Sequence, residues 1–474
     1  LSHEEANGDP VTMTNAAERA QVARALRTHV RRSDHAAWEP PAQRADPVSI
    51  LTAQDAHRLQ WLVPVRHARM AESAFSFYRG AAAIMAADLA ATPTTGHTTQ
   101  LCGDAHLANF GTYASAERRQ VFDVNDFDET LPGPWEWDVK RLATSFVLAA
   151  RDNGFPDDTG TKVAVQATSS YRQALAKMAA IPALDVWYAQ VGLADIEKAL
   201  PSKADRKALE KGATKARQRT SVRALGSLTE TVDGRLQIRS DPPLLEPLRE
   251  LAQRGASTTD TDELSGGVHE SFTTYLASLP DDRAQLLRRF HLIDIALKVV
   301  GVGSVGTRCF IVLLQGVDNG EPLILQVKQA TASVLEEHLP PSTYAHHGQR
   351  VVQGQRLMQA SSDIFLGWSG SSRSSGTYYW RQFHDMKGSA NVAAMTPDRL
   401  LGYAAVCGGT LAHAHARAGD AVSIAAYLGD TDTFDRAVGQ FARAYAQQND
   451  ADFAAFTEAI HDGRISVAPA AAGA

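Results

Sequence analysis

The chain has 474 residues, 44% hydrophobic and 21% charged, with a formal net charge of −6. That length exceeds what one core usually organises, so more than one lobe is expected, and the acidic balance argues against a dedicated nucleic-acid binder. Three cysteines, Cys102, Cys309 and Cys407, are too few and too scattered for a disulfide framework or a zinc site. With no apolar signal at the polar N-terminus and no run long enough to span a bilayer, the expected setting is a reducing cytoplasm and no membrane.

In chain order, residues 1–60 mix polar stretches with the breaker pair Pro40-Pro41 and read as a partly flexible leader with one helix near 16–31. Residues 61–290 read as a helical lobe. It begins with an alanine-rich helix over 71–91, followed by loop signals and short apolar runs over 101–130. A helix then opens at Trp137 and runs to about residue 150. Residues 160–290 are mostly helical by periodicity, interrupted at Val232-Asp233-Gly234 and Pro242-Pro243. Near residue 292 the character changes: 293–300, 308–314, 323–327 and 378–383 are rich in β-branched or aromatic residues. Gly316 to Pro322 offers a hairpin connection between the second and third of these. The pattern predicts a β lobe over 291–390, a return to helix over 391–462 that includes 400–417, and a disordered tail over 463–474. The fold class is therefore α+β, a small antiparallel sheet lobe inserted between helical segments of a larger α-rich lobe.

The helical lobe carries Gly103-Asp104-Ala105-His106-Leu107-Ala108-Asn109 and, soon after, Asp126-Phe127-Asp128. Phosphoryl transfer asks little covalent help of a protein; it needs a positioned nucleophile, metal ions and neutralised charge. A carboxylate that takes a hydroxyl proton and an amide oxygen that holds magnesium are commonly set five residues apart on one loop, the spacing of Asp104 and Asn109. Asp126 is the expected carboxylate for a second contact to the metal, with Asp128 and Asp123 as fallbacks, because magnesium prefers oxygen ligands. Alone, each motif reads equally well as a turn or a solvated acidic loop; in order and together they favour the catalytic reading. His106 is expected to be structural. Asp138 either braces the catalytic loop or starts its helix.

Gly301, Gly303 and Gly306 form a G-x-G-x-x-G pattern with Ser304 at its centre. A dinucleotide fold would continue into a helix. Here the next residues are β-branched and aromatic, so the glycines are expected to turn between strands, where their amides could cover phosphates; a plain flexible hairpin is the alternative. Lys328 ends the following strand, as a phosphate-contacting lysine would. Glu336 is the expected acid partner for it, and 380–387 the expected hinge that meets adenine. The nucleotide half thus follows the catalytic half, the reverse of the ordinary kinase order, which predicts a circular permutation.

As a set, Phe75 to Gly80, Gly103 to Gly111, Asn125 to Glu129, Trp137 to Arg141, Gly301 to Gly306, Gln326-Val327-Lys328 and Ala412 to Arg417 resemble a bacterial family catalogued as domain of unknown function 2252. The resemblance covers most of 60–420. It implies a relation to the protein-kinase-like superfamily, in particular aminoglycoside and choline kinase types with a loop of the form H-G-D-x-x-x-x-N. Carried over, it implies Asp104 as catalytic base, Asn109 and Asp126 as metal ligands and Lys328 as the phosphate-binding lysine. It also implies that 400–417 is the helix that normally leads into the catalytic loop. Cys102 departs from the superfamily histidine, and the helix glutamate has no clear counterpart. The expected cofactors are ATP and Mg2+, and the expected partners a nucleotide and an unknown hydroxyl-bearing acceptor. A non-catalytic nucleotide-binding pseudokinase, AMP transfer on the same scaffold and a two-metal hydrolase remain as alternatives, the last lacking companion His/Asp ligands.

Overall fold

The structure, a computed structural model, describes residues 15–469 except 201, 219–220, 254–269, 319, 371–375 and 384. Parts of the expected leader (1–14), helical region (201, 219–220, 254–269) and tail (470–474) therefore lie outside the described residues.

Four long helices, Trp135–Asp152, Asp157–Ala179, Pro397–Ala418 and Thr433–His461, enclose the largest core. Their apolar residues recur at helical spacing, and the chain supplies small residues where two helices must approach closely. Gly408 is the clearest case: a Cβ there would stand 2.0 Å from the carbonyl oxygen of Ala167, so only glycine permits the crossing. Trp135, stacked on Tyr171 and tilted against Phe434, fills the centre.

Short strands run beside this bundle. β1 (Thr98–Leu101) pairs antiparallel with β4 (Leu131–Pro134), and β2 (Phe110–Ala114) pairs with β3 (Gln120–Val124). The hairpin of β5 (Thr229–Val232) and β6 (Arg235–Ile238) turns at Asp233-Gly234, and β7 (Leu245–Pro247) follows. These three strands lie in a region whose periodicity predicted helix. The turn at 232–234 was legible, but four-residue strands are too short to establish a period.

The β lobe is a six-stranded antiparallel sheet ordered β11-β12-β10-β9-β8-β7. β8 (Phe290–Lys298), β9 (Cys309–Gly316) and β10 (Pro322–Ala330) overlap the predicted strands with ends shifted by one to three residues, and Gly316 to Pro322 is the expected hairpin connection. β11 (Gly367–Gly370) and β12 (Thr377–Gln382) complete it. One sheet face, with Phe310, Val312, Leu325, Val327 and Trp380, packs into its own core, where Trp380 stacks on Tyr275 with ring centroids 4.5 Å apart. The other face is apolar at Ile311, Leu313 and Ile324 and polar at Gln326 and Lys328. β13 (Gly388–Ser389) leaves the sheet lobe and pairs with β2, so the chain re-enters the helical lobe beside the acidic loops.

The leader is tied down more firmly than its composition implied. The helix Ala16–Ala25 packs against Ala421–Leu428, and Arg44 bridges Asp88 and Asp452 with bonds of 2.6–2.8 Å. Burial works against the Arg44 charge, but both carboxylates outweigh it and hold its pKa above the ordinary value. The far end is held too: Ile465 is buried, and the Ala468 amide donates to the Pro64 carbonyl at 2.9 Å. Arg44→Ala strands two buried carboxylates beside each other, so the expected cost is about 3–5 kcal/mol in urea unfolding. A loss below about 1 kcal/mol would show that the leader does not stabilise the helical lobe.

Candidate functional site

The strand pairing itself brings two loops face to face. Residues 102–109 leave β1 and enter β2, while residues 125–130 leave β3 and enter β4. Leu101 pairs with Leu131 at one end and Phe110 with Val124 at the other, so the loops are clamped side by side. Gly103 makes the closest approach: at φ +82° its Cβ would lie 2.2 Å from the Glu129 carbonyl oxygen, excluding any side chain.

Buried groups hold the first loop from behind. The Asp138 carboxylate accepts from the amides of Cys102 (2.8 Å) and Gly103 (3.1 Å), which settles its role as a brace. His415 Nε2 lies 3.3 Å from the same carboxylate, and its Nδ1 meets the Tyr171 hydroxyl at 2.9 Å. Ser145 Oγ accepts from the Leu107 amide, and Tyr403 Oη donates to the Leu107 carbonyl. Cys102 is fully buried, and burial pushes its thiol well above the ordinary range, so it packs as a neutral side chain. His106 is buried with its pKa driven down to about 3, chiefly by burial, and its Nε2 stays 3.7 Å from Asp104 Oδ2. It is a neutral packing residue, as expected.

Asp104 Oδ1 accepts from Arg141 Nε at 2.6 Å, while Oδ2 has no hydrogen bond to any described residue. Asn109 turns its amide nitrogen to the Asp104 carbonyl at 2.9 Å, which fixes the orientation of the amide and leaves Oδ1 without a described partner. The Asn125 amide donates to the Asn109 carbonyl at 2.8 Å, joining the two loops.

The second loop meets the sheet. Lys328 Nζ donates to Asp128 and stands 3.9 Å from Asp126 Oδ1. The Tyr379 hydroxyl donates to Asp128 Oδ1 at 2.7 Å. Burial works against the Lys328 charge, but the two aspartates outweigh it and hold its pKa well above normal. Burial and the neighbouring Asp128 push Asp126 up; burial also opposes ionisation of Asp128, but Lys328 and Tyr379 prevail and bring it down. Arg381 donates to Gln326 Oε1 and to the Asn125 carbonyl, placing a second cation at the loop. Lys387, with its pKa lowered to about 7 by burial and then by Arg381, adds a third.

The glycine residues turn between β8 and β9 as expected, and Ser304 Oγ lies 3.4 Å from Asp128 Oδ2. The loop is gripped from outside. Arg58 donates to the Gly303 and Val305 carbonyls at 2.8 and 2.6 Å, Arg69 donates to the Gly301 carbonyl, and the Leu59 amide donates to Gly306. The amides of Gly303, Ser304 and Gly306 donate to no described residue.

One assignment is corrected. Glu336 does not partner Lys328: its carboxylate accepts from the Ser333 amide at 3.0 Å and the Ser342 amide at 3.2 Å, and lies 3.8 Å from Arg350. Ser333-x-x-Glu336 is a capping box on a 3-10 turn, a local demand that claims the acid before any distant lysine can. The following helix, His347–Met358, supplies Arg350 instead, which donates to the carbonyls of Asp128, Thr130 and Thr331. Of the expected hinge, Trp380 is core, residue 384 lies outside the described residues, and Arg381 and Lys387 belong to the acidic loop. Tyr379 and Arg381 were missed as site residues. Their two-residue spacing and pairing opposite Lys328 and Gln326 put them on one face, a register visible only once the strands are aligned.

Among the described residues no three His, Cys, Asp or Glu side chains converge as a metal site. The residues that could hold a magnesium ion are Asp126, Asp128, whose two oxygens already accept from Tyr379 and Lys328, and Asn109, whose amide oxygen has no described partner; such ions are commonly held by one or two carboxylates with phosphate and water completing the shell. No helix among the described residues is long and apolar enough to cross a membrane.

Fold and site together define an α+β protein in which two loops lie side by side, one carrying Asp104 held by a helix arginine and the other carrying Asp126 and Asp128 facing a lysine and an arginine from an antiparallel sheet. The chain belongs to the family described as uncharacterized proteins conserved in bacteria, domain of unknown function 2252, whose profile matches residues 58–459. No curated protein and no solved structure matches the chain.

Asp123, buried beside this site, accepts from the amides of Val124 (2.9 Å) and Ala360 (3.2 Å), and burial raises its pKa to about 7. An unfolded aspartate titrates near ~3.9, so the folded state binds the extra proton between about pH 4 and 7, and stability falls as pH rises through that window. In Asp123→Asn this contribution disappears. The Tm difference between variant and parent should therefore move in the variant's favour from about pH 5 to 7.5; parallel Tm profiles would contradict the assignment.

Proposed function

We propose that this protein is an ATP- and magnesium-dependent phosphotransferase of a circularly permuted protein-kinase-like fold, moving a phosphoryl group to a hydroxyl of a small molecule or a protein. The observation that carries the reading is the meeting of Lys328 with Asp126 and Asp128, beside Asp104 and under the glycine turn. The amides of Gly303, Ser304 and Gly306, which donate to no described residue, suit phosphate oxygens, and the carbonyls beside them are already held by arginines. Chain order supports permutation. The helix Pro397–Ala418 reaches the catalytic loop through Tyr403, although it lies almost three hundred residues later.

In this reading Arg141 fixes one oxygen of Asp104, and the other is left to take the acceptor's proton. As the hydroxyl oxygen bonds to the γ-phosphorus, the bond from that phosphorus to the bridging oxygen breaks and ADP leaves. Lys328 and Arg381 offset the charge on the phosphates. Magnesium, when bound by Asp126, Asp128 and Asn109, would supply further neutralisation of phosphate charge. The two-metal hydrolase alternative loses support, since its extra His/Asp ligands are absent among the described residues.

ATP with magnesium should raise the Tm of the parent, by an amount equivalent to about 2.7 kcal/mol at a hundredfold excess over Kd. ATP alone should do little, and Asp126→Ala should lose the magnesium-dependent part. No response to any nucleotide would sink the proposal. Asp104→Ala should keep the nucleotide response and lose about 10²–10⁴ of transfer, read by the mass gained by the acceptor. An adenylyl rather than phosphoryl mass would assign AMP transfer to the same residues.

A further inference from the structure

Arg79 is a cation that the proposed transfer has no use for. It sits on the helix Ala74–Gly80, between the two halves of the site. On one side its neighbour Tyr78 offers its carbonyl to Arg141 at 3.0 Å and its ring at 4.2 Å, and Arg141 is the residue that grips Asp104. On the other, the Arg79 carbonyl lies where a Cβ on Gly303 would come within 3.2 Å, so the backbone touches the glycine turn. The chain thus pins Arg79 between the catalytic acid and the phosphate-covering loop.

Its side chain has little to do there. Arg79 makes no hydrogen bond and no salt bridge to any described residue, and its buried Nε is unsatisfied. The Phe75 ring, 6.0 Å from the guanidinium carbon, is its stacking neighbour, and Asp104 and Glu72 are the acids that act on it. The surrounding arginines differ: Arg58 and Arg69 are spent on glycine-turn carbonyls, Arg66 on Asp55, and Arg141 on Asp104. Only its Nε is both buried and unsatisfied, so the terminal nitrogens are free to take up an anion, and the planar fork suits a carboxylate or phosphate.

The charges divide by side. Lys328 and Arg381 are the cations that act on Asp126 and Asp128, whereas Arg79 and Arg141 are those that act on His106, next to Asp104. Arg79 therefore belongs to the side where a hydroxyl would approach the base, not to the side of the metal loop. We propose that Arg79 recognises an anionic group, a carboxylate or a phosphate, on the acceptor. This rests on the phosphotransfer reading and narrows it: the acceptor is an anionic hydroxyl compound, or an acidic stretch of a protein presenting its hydroxyl.

The full chain is titrated calorimetrically with inorganic phosphate as probe, comparing the parent with Arg79→Gln, Arg79→Lys and Lys328→Ala, and each is then titrated with ATP and magnesium. Arg79→Gln should weaken phosphate binding at one site by about tenfold or more, Arg79→Lys by less, and Lys328→Ala should leave that site intact. ATP–magnesium binding to Arg79→Gln should match the parent. Unchanged phosphate binding in Arg79→Gln overturns the proposal, as does an equal loss of nucleotide, which would place Arg79 on the ATP phosphates. If Arg79→Gln does not fold, parent-like phosphate binding by Arg79→Lys, whose ammonium lacks the fork, overturns it as well. A parent that binds phosphate through Arg79 but ignores ATP and magnesium would defeat the phosphotransfer reading and leave the anion site standing.

Discussion

The contact between Lys328 and the Asp126–Asp128 pair is the constraint on which the site depends. Two carboxylates two residues apart in a half-buried loop repel each other, and neither is fully solvated. Lys328, itself almost completely buried, is tolerated only because it faces both of them. Neither lobe could keep its charges in place alone. Tyr379 and Arg381 extend the same logic, each arriving from the strand paired with the lysine strand.

Around that contact the protein uses backbone groups as anchors. Asp138 holds two consecutive amides of the first loop, Arg350 holds carbonyls of the second, and Arg58 with Arg69 holds carbonyls of the glycine turn. Each anchor is a charged side chain on a helix or the turn beside one. Loops so fixed lose little further freedom when a ligand arrives, a condition for preorganised charge. The helix His347–Met358 contributes an arginine that holds backbone carbonyls, and the acid partners of the lysine come from the loop.

Much of this was legible in the residues. Four strands of the sheet, β8, β9, β10 and β12, announced themselves through β-branched or aromatic runs, and the helices around Trp137 and Leu400 through their periodicity. Asp104, Asn109, Asp126, Asp128 and Lys328 were singled out by spacing, and the structure gathers them. What failed did so for physical reasons. Glu336 answered a local capping demand that outranks a distant pairing. Tyr379 and Arg381 looked like ordinary strand residues until register aligned them with Lys328. The leader read as loose because its anchors, such as Arg44 on Asp88 and Asp452, span hundreds of residues and leave no local pattern.

The two acidic loops close through pairings between near neighbours in the chain, whereas the lysine that faces the second of them lies 200 residues further on. Close pairings form early, and distant ones must wait for a large loop to shut. During synthesis, then, Asp126 and Asp128 have no Lys328 to face until β10 has been made, and the helices Pro397–Ala418 and Thr433–His461 follow later still. A product cut short before β10 would carry both acids without that counterion.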